Sequence, residues 1–260
     1  MNFLSRNLEL RINRRSLVNK AFSTLFIGLL TISAANAQWW GGKKIKGNGK
    51  VVTETRNVGS YDKVAVAGSF DVELVAGNEG KLTLKGEENL LEYIVTEVDG
   101  DKLKIKTEKG INIQPSRNTV LLITVPFKDI SMVSLAGSGD VVGKSRIKAD
   151  NFKTSLSGSG DVSLEVDANE VKANLAGSGD IELSGTANSV DISLAGSGDI
   201  DAYGLKSKTA EVSVSGSGDV NVYCSEAIKA RVVGSGDISY RGNPEKQDTK
   251  AVGSGDISSN

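Results

Sequence analysis

The 260-residue chain predicts an all-β fold: a right-handed parallel β-helix, or β-solenoid, of coils about 19 residues long, preceded by a less regular β region. Three observations carry this expectation. Gly-Ser-Gly-Asp occurs seven times, with its aspartates at Asp140, Asp161, Asp180, Asp199, Asp219, Asp237 and Asp256, so the spacings are 21, 19, 19, 20, 18 and 19 residues. Apolar residues alternate with polar ones on both sides of the motif, as in Val171, Ala173 and Leu175 before it and Ile181 and Leu183 after it. The motif stays nearly constant while the flanking strand residues drift among Val, Ile, Leu and Ala.

Residues 1–37 have the layout of a signal peptide. Arg6, Arg11, Arg14, Arg15 and Lys20 form a basic leader, an apolar run spans Ala21 to Ser33, and Ala35-Asn36-Ala37 supplies the small residues a signal peptidase needs. The run is 13 residues long, short of the roughly 20 a membrane span requires. Cleavage after Ala37 is expected, leaving a mature chain without a transmembrane segment. No cysteine near that point offers a lipid anchor. Residues 38–50, with Trp39 and Trp40, read as a flexible segment.

Residues 51–132 lose the period but keep the alternation, in KVAVAGSFDVELV, KLTLKG and KLKIKT. They read as irregular coils that begin and cap the stack. GSFDVEL at 68–74 is a degenerate eighth copy of the motif, and Asp99-Gly100 marks a hairpin turn. One helical turn is expected between Glu87 and Ile94. VLLITVP at 120–126 reads as a buried strand stopped by Pro126.

Residues 133–260 are the regular solenoid, and with the preceding coils form one domain over 51–260. A meander would set equivalent turns two strands apart, whereas a solenoid lays them on each other about 4.8 Å apart, so that each copy must present the same shape to the next. The constant motif favours stacking. The glycine pairs then turn the corner without a Cβ clash: Gly137 and Gly139, Gly158 and Gly160, Gly177 and Gly179, Gly196 and Gly198, Gly216 and Gly218, Gly234 and Gly236, Gly253 and Gly255. Serine and aspartate bond free backbone N–H groups in the corner or the coil above.

Stacked carboxylates carry a cost. Unit charges about 4.8 Å apart repel by roughly 0.9 kcal/mol in water and about 3.5 kcal/mol at an effective dielectric of 20. Backbone donors, solvent or cations must offset it. Asp180 and Glu182 alternate with Ile181 and Leu183, which places the carboxylates on the outer face. The seven aspartates are candidate calcium ligands, although the nine-residue spacing of calcium-binding β-rolls is absent. The final coil is short and leaves an open edge that Lys246, Asp248, Lys250 and Pro244 blunt, so weak end-to-end self-association is a further expectation.

Composition narrows the chemistry. Beyond the leader, 26 basic residues face 31 acidic ones, a balance that argues against a nucleic-acid partner. The chain has no histidine, the commonest general base, and Cys224 is its only cysteine, a core residue with no disulfide partner. No cofactor and no catalytic constellation is read. Tyr203, Tyr223 and Tyr240 follow their motifs at comparable distances, as a short ladder or as core and flank packing.

RNVGSYDKVAVAGSFDVELVAGNE at 56–79, ENLLEYIVTEVDGDKLKI at 88–105 and ITVPFKDISMVSLAGSGDV at 123–141, followed by the repeated motif, together resemble the autotransporter adhesin head GIN domain family, a domain of unknown function. The resemblance runs from about Val51 to the end of the chain and implies a β-solenoid in an exported setting: periplasm, outer surface or secreted. No barrel strands follow the last motif, so no translocator is expected here. The function read from these features is an adhesin-like, non-enzymatic binding or structural protein whose partner is a protein or glycan at the cell surface. The alternatives are a polysaccharide-acting β-helix enzyme and a calcium-stabilised structural spacer.

Overall fold

The computed structural model describes residues 42–260, so the expected signal peptide at 1–37 and Trp39 and Trp40 lie outside the described residues. Within the segment expected to be flexible, Lys43–Lys46 form strand β1. The non-repeating region contributes β2 (Val51–Asn57), β3 (Lys63–Gly68), β4 (Asp71–Ala76), β5 (Lys81–Glu87), the one-turn helix α1 (Glu88–Leu91), β6 (Ile94–Asp99), β7 (Lys102–Thr107), β8 (Ile111–Gln114) and β9 (Leu122–Phe127). The repeats supply β10 (Met132–Gly137), β11 (Val141–Gly143), β12 (Ile147–Gly158), β13 (Val162–Gly177), β14 (Ile181–Gly196), β15 (Ile200–Gly216), β16 (Val220–Gly234), β17 (Ile238–Arg241), β18 (Lys246–Gly253) and β19 (Ile257–Ser259).

From β10 to β19 every strand pairing is parallel, which decides for the solenoid over the meander. Register is set by the motif: Gly137 pairs with Gly158, Gly158 with Gly177, and the column continues through Gly196, Gly216, Gly234 and Gly253. Like side chains consequently lie on like. Leu156, Leu175, Leu194, Val214 and Val232 form one buried column and Val162, Ile181, Ile200, Val220 and Ile238 another. Alternation therefore becomes a continuous apolar interior, each fully buried aliphatic side chain contributing about 1.5–3 kcal/mol.

The interior ends where the sequence changes. In β18 the positions that continue the inward columns of Ile228, Ala230 and Val232 hold Gln247, Thr249 and Ala251. Gln247 accepts a hydrogen bond from Tyr240 Oη at 2.9 Å and donates to the Pro244 carbonyl at 3.0 Å. Polar side chains thus face solvent where the apolar columns stop.

The region before the repeats does not stack in chain order. β3 and β4 form a coil in register with β10 and β11, with Gly68 opposite Gly137 and Val72 opposite Val141, so the degenerate motif is a true rung. On its other side lie β7 and β9, also parallel to β3 and β4. Hairpins close this end: β6 runs antiparallel to β7 through the Asp99-Gly100 turn, with Gly100 at φ +63°, and β5 runs antiparallel to β2 and β9. The expected helical turn is α1. One expectation is corrected: Pro126 does not stop β9, which continues to Phe127. β5 pairs with β9 only as far as Thr124, so Pro126 sits where one side of the strand has no neighbour and its missing N–H leaves no ladder bond open.

Candidate functional site

The repeated corner is built from backbone. Gly177 has φ +149°, and a Cβ there would lie 2.1 Å from the carbonyl oxygen of Gly158 in the adjacent coil. Gly179 is buried, and its Cβ would lie 1.9 Å from the Gly160 oxygen. Both glycines are thus required by close approach of one coil to the next, and the first also by its dihedral. The carbonyl of Gly158 accepts the N–H of Ser178 at 2.9 Å and that of Gly179 at 3.2 Å, which ties each corner to its neighbour.

All seven repeat aspartates are exposed, and the carboxylate of each but Asp256, on the last rung, accepts a main-chain N–H. The N–H of Asp140 donates to Asp71 Oδ1, that of Asp161 to Asp140 Oδ1, and the pattern continues through Asp180, Asp199, Asp219, Asp237 and Asp256 at 2.7 to 3.1 Å. The ladder therefore has eight carboxylates, counting Asp71 of the degenerate copy. Charge-assisted N–H donors and solvent offset the like-charge repulsion. No ladder aspartate lies in an ion pair among the described residues. Nor, among those residues, does any group of three or more His, Cys, Asp or Glu side chains gather to hold a metal ion.

The second corner of the coil, between the two strand segments, is not repetitive. Gly185, at φ +114°, would place a Cβ 2.1 Å from the Val166 oxygen, and Gly242, at φ +107°, one 2.2 Å from the Cys224 oxygen. Side chains do the rest. Asn169 donates to Asp150 at 3.2 Å, Asn188 donates to Asn169 at 2.9 Å, and Thr186 donates to Asp167 at 2.9 Å. Arg146 pairs with both Asp167, at 3.0 Å, and Glu165. Burial alone would raise the Asp167 pKa, but the Thr186 hydroxyl and Arg146 hold it below the usual carboxylate value.

The tyrosines separate. Tyr240 pairs with Val222 and is buried, whereas Tyr223 pairs with Arg241. Tyr203 and Tyr223 carry cations on their rings: the Arg241 guanidinium stands 4.0 Å from the Tyr203 centroid and the Lys206 ammonium 4.1 Å from that of Tyr223. Cys224 is buried, as its place in the alternation implies, and burial pushes its thiol up to about 11.

Glu87, fully buried, gave no signal in the sequence. It accepts hydrogen bonds from the N–H of Gly49, from the N–H of Ser116 at 2.8 Å and from the Ser116 hydroxyl at 2.6 Å. Burial pushes its pKa up, but these donors outweigh it and hold the carboxyl below its ordinary value. The carboxylate pins Gly47–Lys50 against the loop after β8, assisted by Asn89, which accepts from the Asn48 N–H at 3.0 Å and donates to the Lys46 carbonyl at 2.8 Å.

A stack of parallel coils with a continuous carboxylate ladder defines a β-solenoid repeat protein. The model of the family described as "Putative auto-transporter adhesin, head GIN domain" matches residues 60–244, and the chain belongs to that family. Its fold is similar to that of a putative adhesin from Bacteroides fragilis, at 24% identity, covering 83% of this chain and 100% of that one, with a TM-score of 0.76. It is also similar to a protein from Parabacteroides distasonis described as a putative lipid binding protein, at 30% identity, covering 84% of this chain and 100% of that one, with a TM-score of 0.70. A putative adhesin from Parabacteroides merdae is 23% identical over 84% of this chain and 99% of its own, with a TM-score of 0.64. No curated protein matches the chain. No helix among the described residues is long and apolar enough to cross a membrane.

Proposed function

We propose that the protein is an exported, non-enzymatic binding protein that presents the sides of a rigid solenoid to a partner at the cell surface. The basic leader, apolar run and Ala35-Asn36-Ala37 support export. The observation that carries the binding reading is the uniformity of the ladder. Every repeat carboxylate is exposed and holds the same bond to the next coil, apart from Asp256 on the last rung. Glycoside hydrolysis needs one acid and one base in unequal environments, and identical rungs do not supply that difference. What the repeats do supply is area: outward columns such as Ser134, Ser155, Asn174, Ser193 and Ser213 run coil after coil along one flat face. Flat faces of this kind favour distributed contact over enclosure of a small substrate.

The test is adherence. Beads coated with the Gln38–Asn260 chain are expected to adhere to cell-envelope fractions and to leave soluble polysaccharides uncut. Release of reducing ends from any polysaccharide would instead establish the enzymatic alternative.

A further inference from the structure

We infer that two copies of the chain join at the β18 end of the stack, β18 pairing antiparallel with the partner's β18 about a two-fold axis at Thr249. This goes beyond the adhesive reading and does not depend on it. β18 bonds to β16 along one edge and β19 to β17, and among the described residues neither strand pairs along its other edge. All of β18 is exposed, including Gln247, Thr249 and Ala251, which stand at the phase that Ile228, Ala230 and Val232 bury one coil below. Ile257 continues the buried column of Val220 and Ile238 but is itself only partly covered. Val252 is 52% exposed beside Val233, which is 58% exposed.

The other end of the stack is finished differently. Leu103 and Ile105 of β7 and Ile123 and Val125 of β9 are fully buried, and the hairpin strands β6 and β5 are bonded to β7 and β9. A head-to-tail copy therefore meets no open rung there, and the surface that matches an uncovered β18 is a second β18. A two-fold axis reverses the partner strand, so the new ladder is antiparallel and the free N–H and C=O groups of both edges find partners. Inward positions must then meet inward positions, because any other phase would turn charged side chains into the interior.

Charge sets the register. With Thr249 on the axis, Asp248 lies opposite the partner's Lys250, Gln247 opposite the partner's Ala251, and Val252 opposite the partner's Lys246, whose aliphatic stem covers it. Each of these pairs occurs twice. A slip of two residues in either direction, the smallest that keeps the phase, sets Asp248 against the partner's Asp248 or Lys250 against the partner's Lys250. Lys250 also needs a carboxylate: it stands beside Arg231, which holds Asp248, and forms no ion pair among the described residues. Protective edge charges repel a second copy, whereas the opposite signs of Asp248 and Lys250 attract an antiparallel one. The axis stands perpendicular to the β18 sheet, so the flat serine faces of both copies lie on one side and the dimer presents them together.

Sedimentation equilibrium of the Gln38–Asn260 protein is expected to show monomer and dimer and nothing larger, with a Kd of about 10–100 µM because one rung per copy buries little area. Lys250→Asp, which sets carboxylate against carboxylate, should weaken the dimer about tenfold or more, and Asp248→Lys combined with Lys250→Asp should restore it to within about threefold. Equal melting at high dilution checks that each variant folds. Thr249→Cys should form an intermolecular disulfide on mild oxidation, since its two copies lie about 4.5–5.5 Å apart across the axis. Lys246→Cys should not, its two copies being about 20 Å apart. Cys224 is buried and does not compete. A monomer at every concentration, species larger than the dimer, indifference to Lys250→Asp, failure of the charge swap to restore the dimer, or equal cross-linking at the two positions each overturns the proposal. A chain that stays monomeric but gains hydrogen-exchange protection in β18 on mixing with envelope proteins assigns the edge to a foreign strand and overturns it likewise.

Discussion

The two corners of each coil turn the chain by different means. At the repeated corner the backbone itself approaches the next coil so closely that a Cβ on Gly179 would sit 1.9 Å from a carbonyl oxygen, and the one conspicuous side chain, aspartate, is spent on the N–H of the following rung. At the second corner the glycines are occasional, and the coils are linked by side chains that change from rung to rung: Asp150, Asn169, Asn188 on one line, Asp167 and Thr186 on the other. The first corner tolerates no variation and offers none. The second keeps the turn while leaving its surface chemistry free.

Several substitutions sharpen that contrast. The largest effect is expected from Gly179→Ala, whose methyl collides with main chain in the coil below and forces the stack apart, at about 4 kcal/mol or more in chemical denaturation. A loss below about 1 kcal/mol would mean that the corner has slack the close approach denies.

Away from the repeat, where Phe70 stands in place of the motif's second glycine, side chains take over the fastening, and Glu87 is the sharpest case. Its carboxyl is held below the ordinary carboxylate value, so its contribution is complete above the unfolded-state pKa and is lost as pH falls through the depressed folded value. Glu87→Gln is expected to lower stability by about 2 kcal/mol at neutral pH and to shrink the drop in Tm on acidification to about pH 3. An unchanged acid response would remove Glu87 as the fastening.

Between the corners the core has one flaw. Thr154 is fully buried and its hydroxyl has no hydrogen-bond partner, while the same column holds Val133 and Ala173 in the neighbouring coils. Thr154→Val should therefore stabilise the protein by about 1 kcal/mol, and a destabilisation would reveal a partner for the hydroxyl. The smallest change belongs to the variable corner: Asn188→Ala removes one exposed rung and should cost about 0.5 kcal/mol, an order of magnitude less than the glycine.

What was legible in the sequence follows the same division. The spacing of the seven aspartates contained the parallel stacking and its register, because only coils lying on one another demand the same glycines in the same place. The backbone donors that offset the ladder's repulsion were also within reach, since a corner with free N–H groups is where carboxylates find them. The second corner escaped because Gly185 and Gly242 fall at a phase that other coils fill with other residues, so no period exposes them. Glu87 escaped for a related reason. Its partners, Gly49 and Ser116, are 38 and 29 residues away, and nothing in KGEENLL distinguishes a buried carboxylate from the exposed one beside it. The stacking order of β3, β7 and β10 was hidden likewise, because it depends on which coil lies against which and not on local alternation.

The central claim is that each corner aspartate serves the coil that follows it, and amide hydrogen exchange with Asp161→Ala tests this directly. The Asp180 N–H, which donates to Asp161 Oδ1 at 3.1 Å, should exchange faster by about tenfold, while the Asp140 N–H, held by Asp71, should keep its protection. Equal change at both amides, or no change at Asp180, would contradict a directional ladder and with it the account of how like charges are stacked.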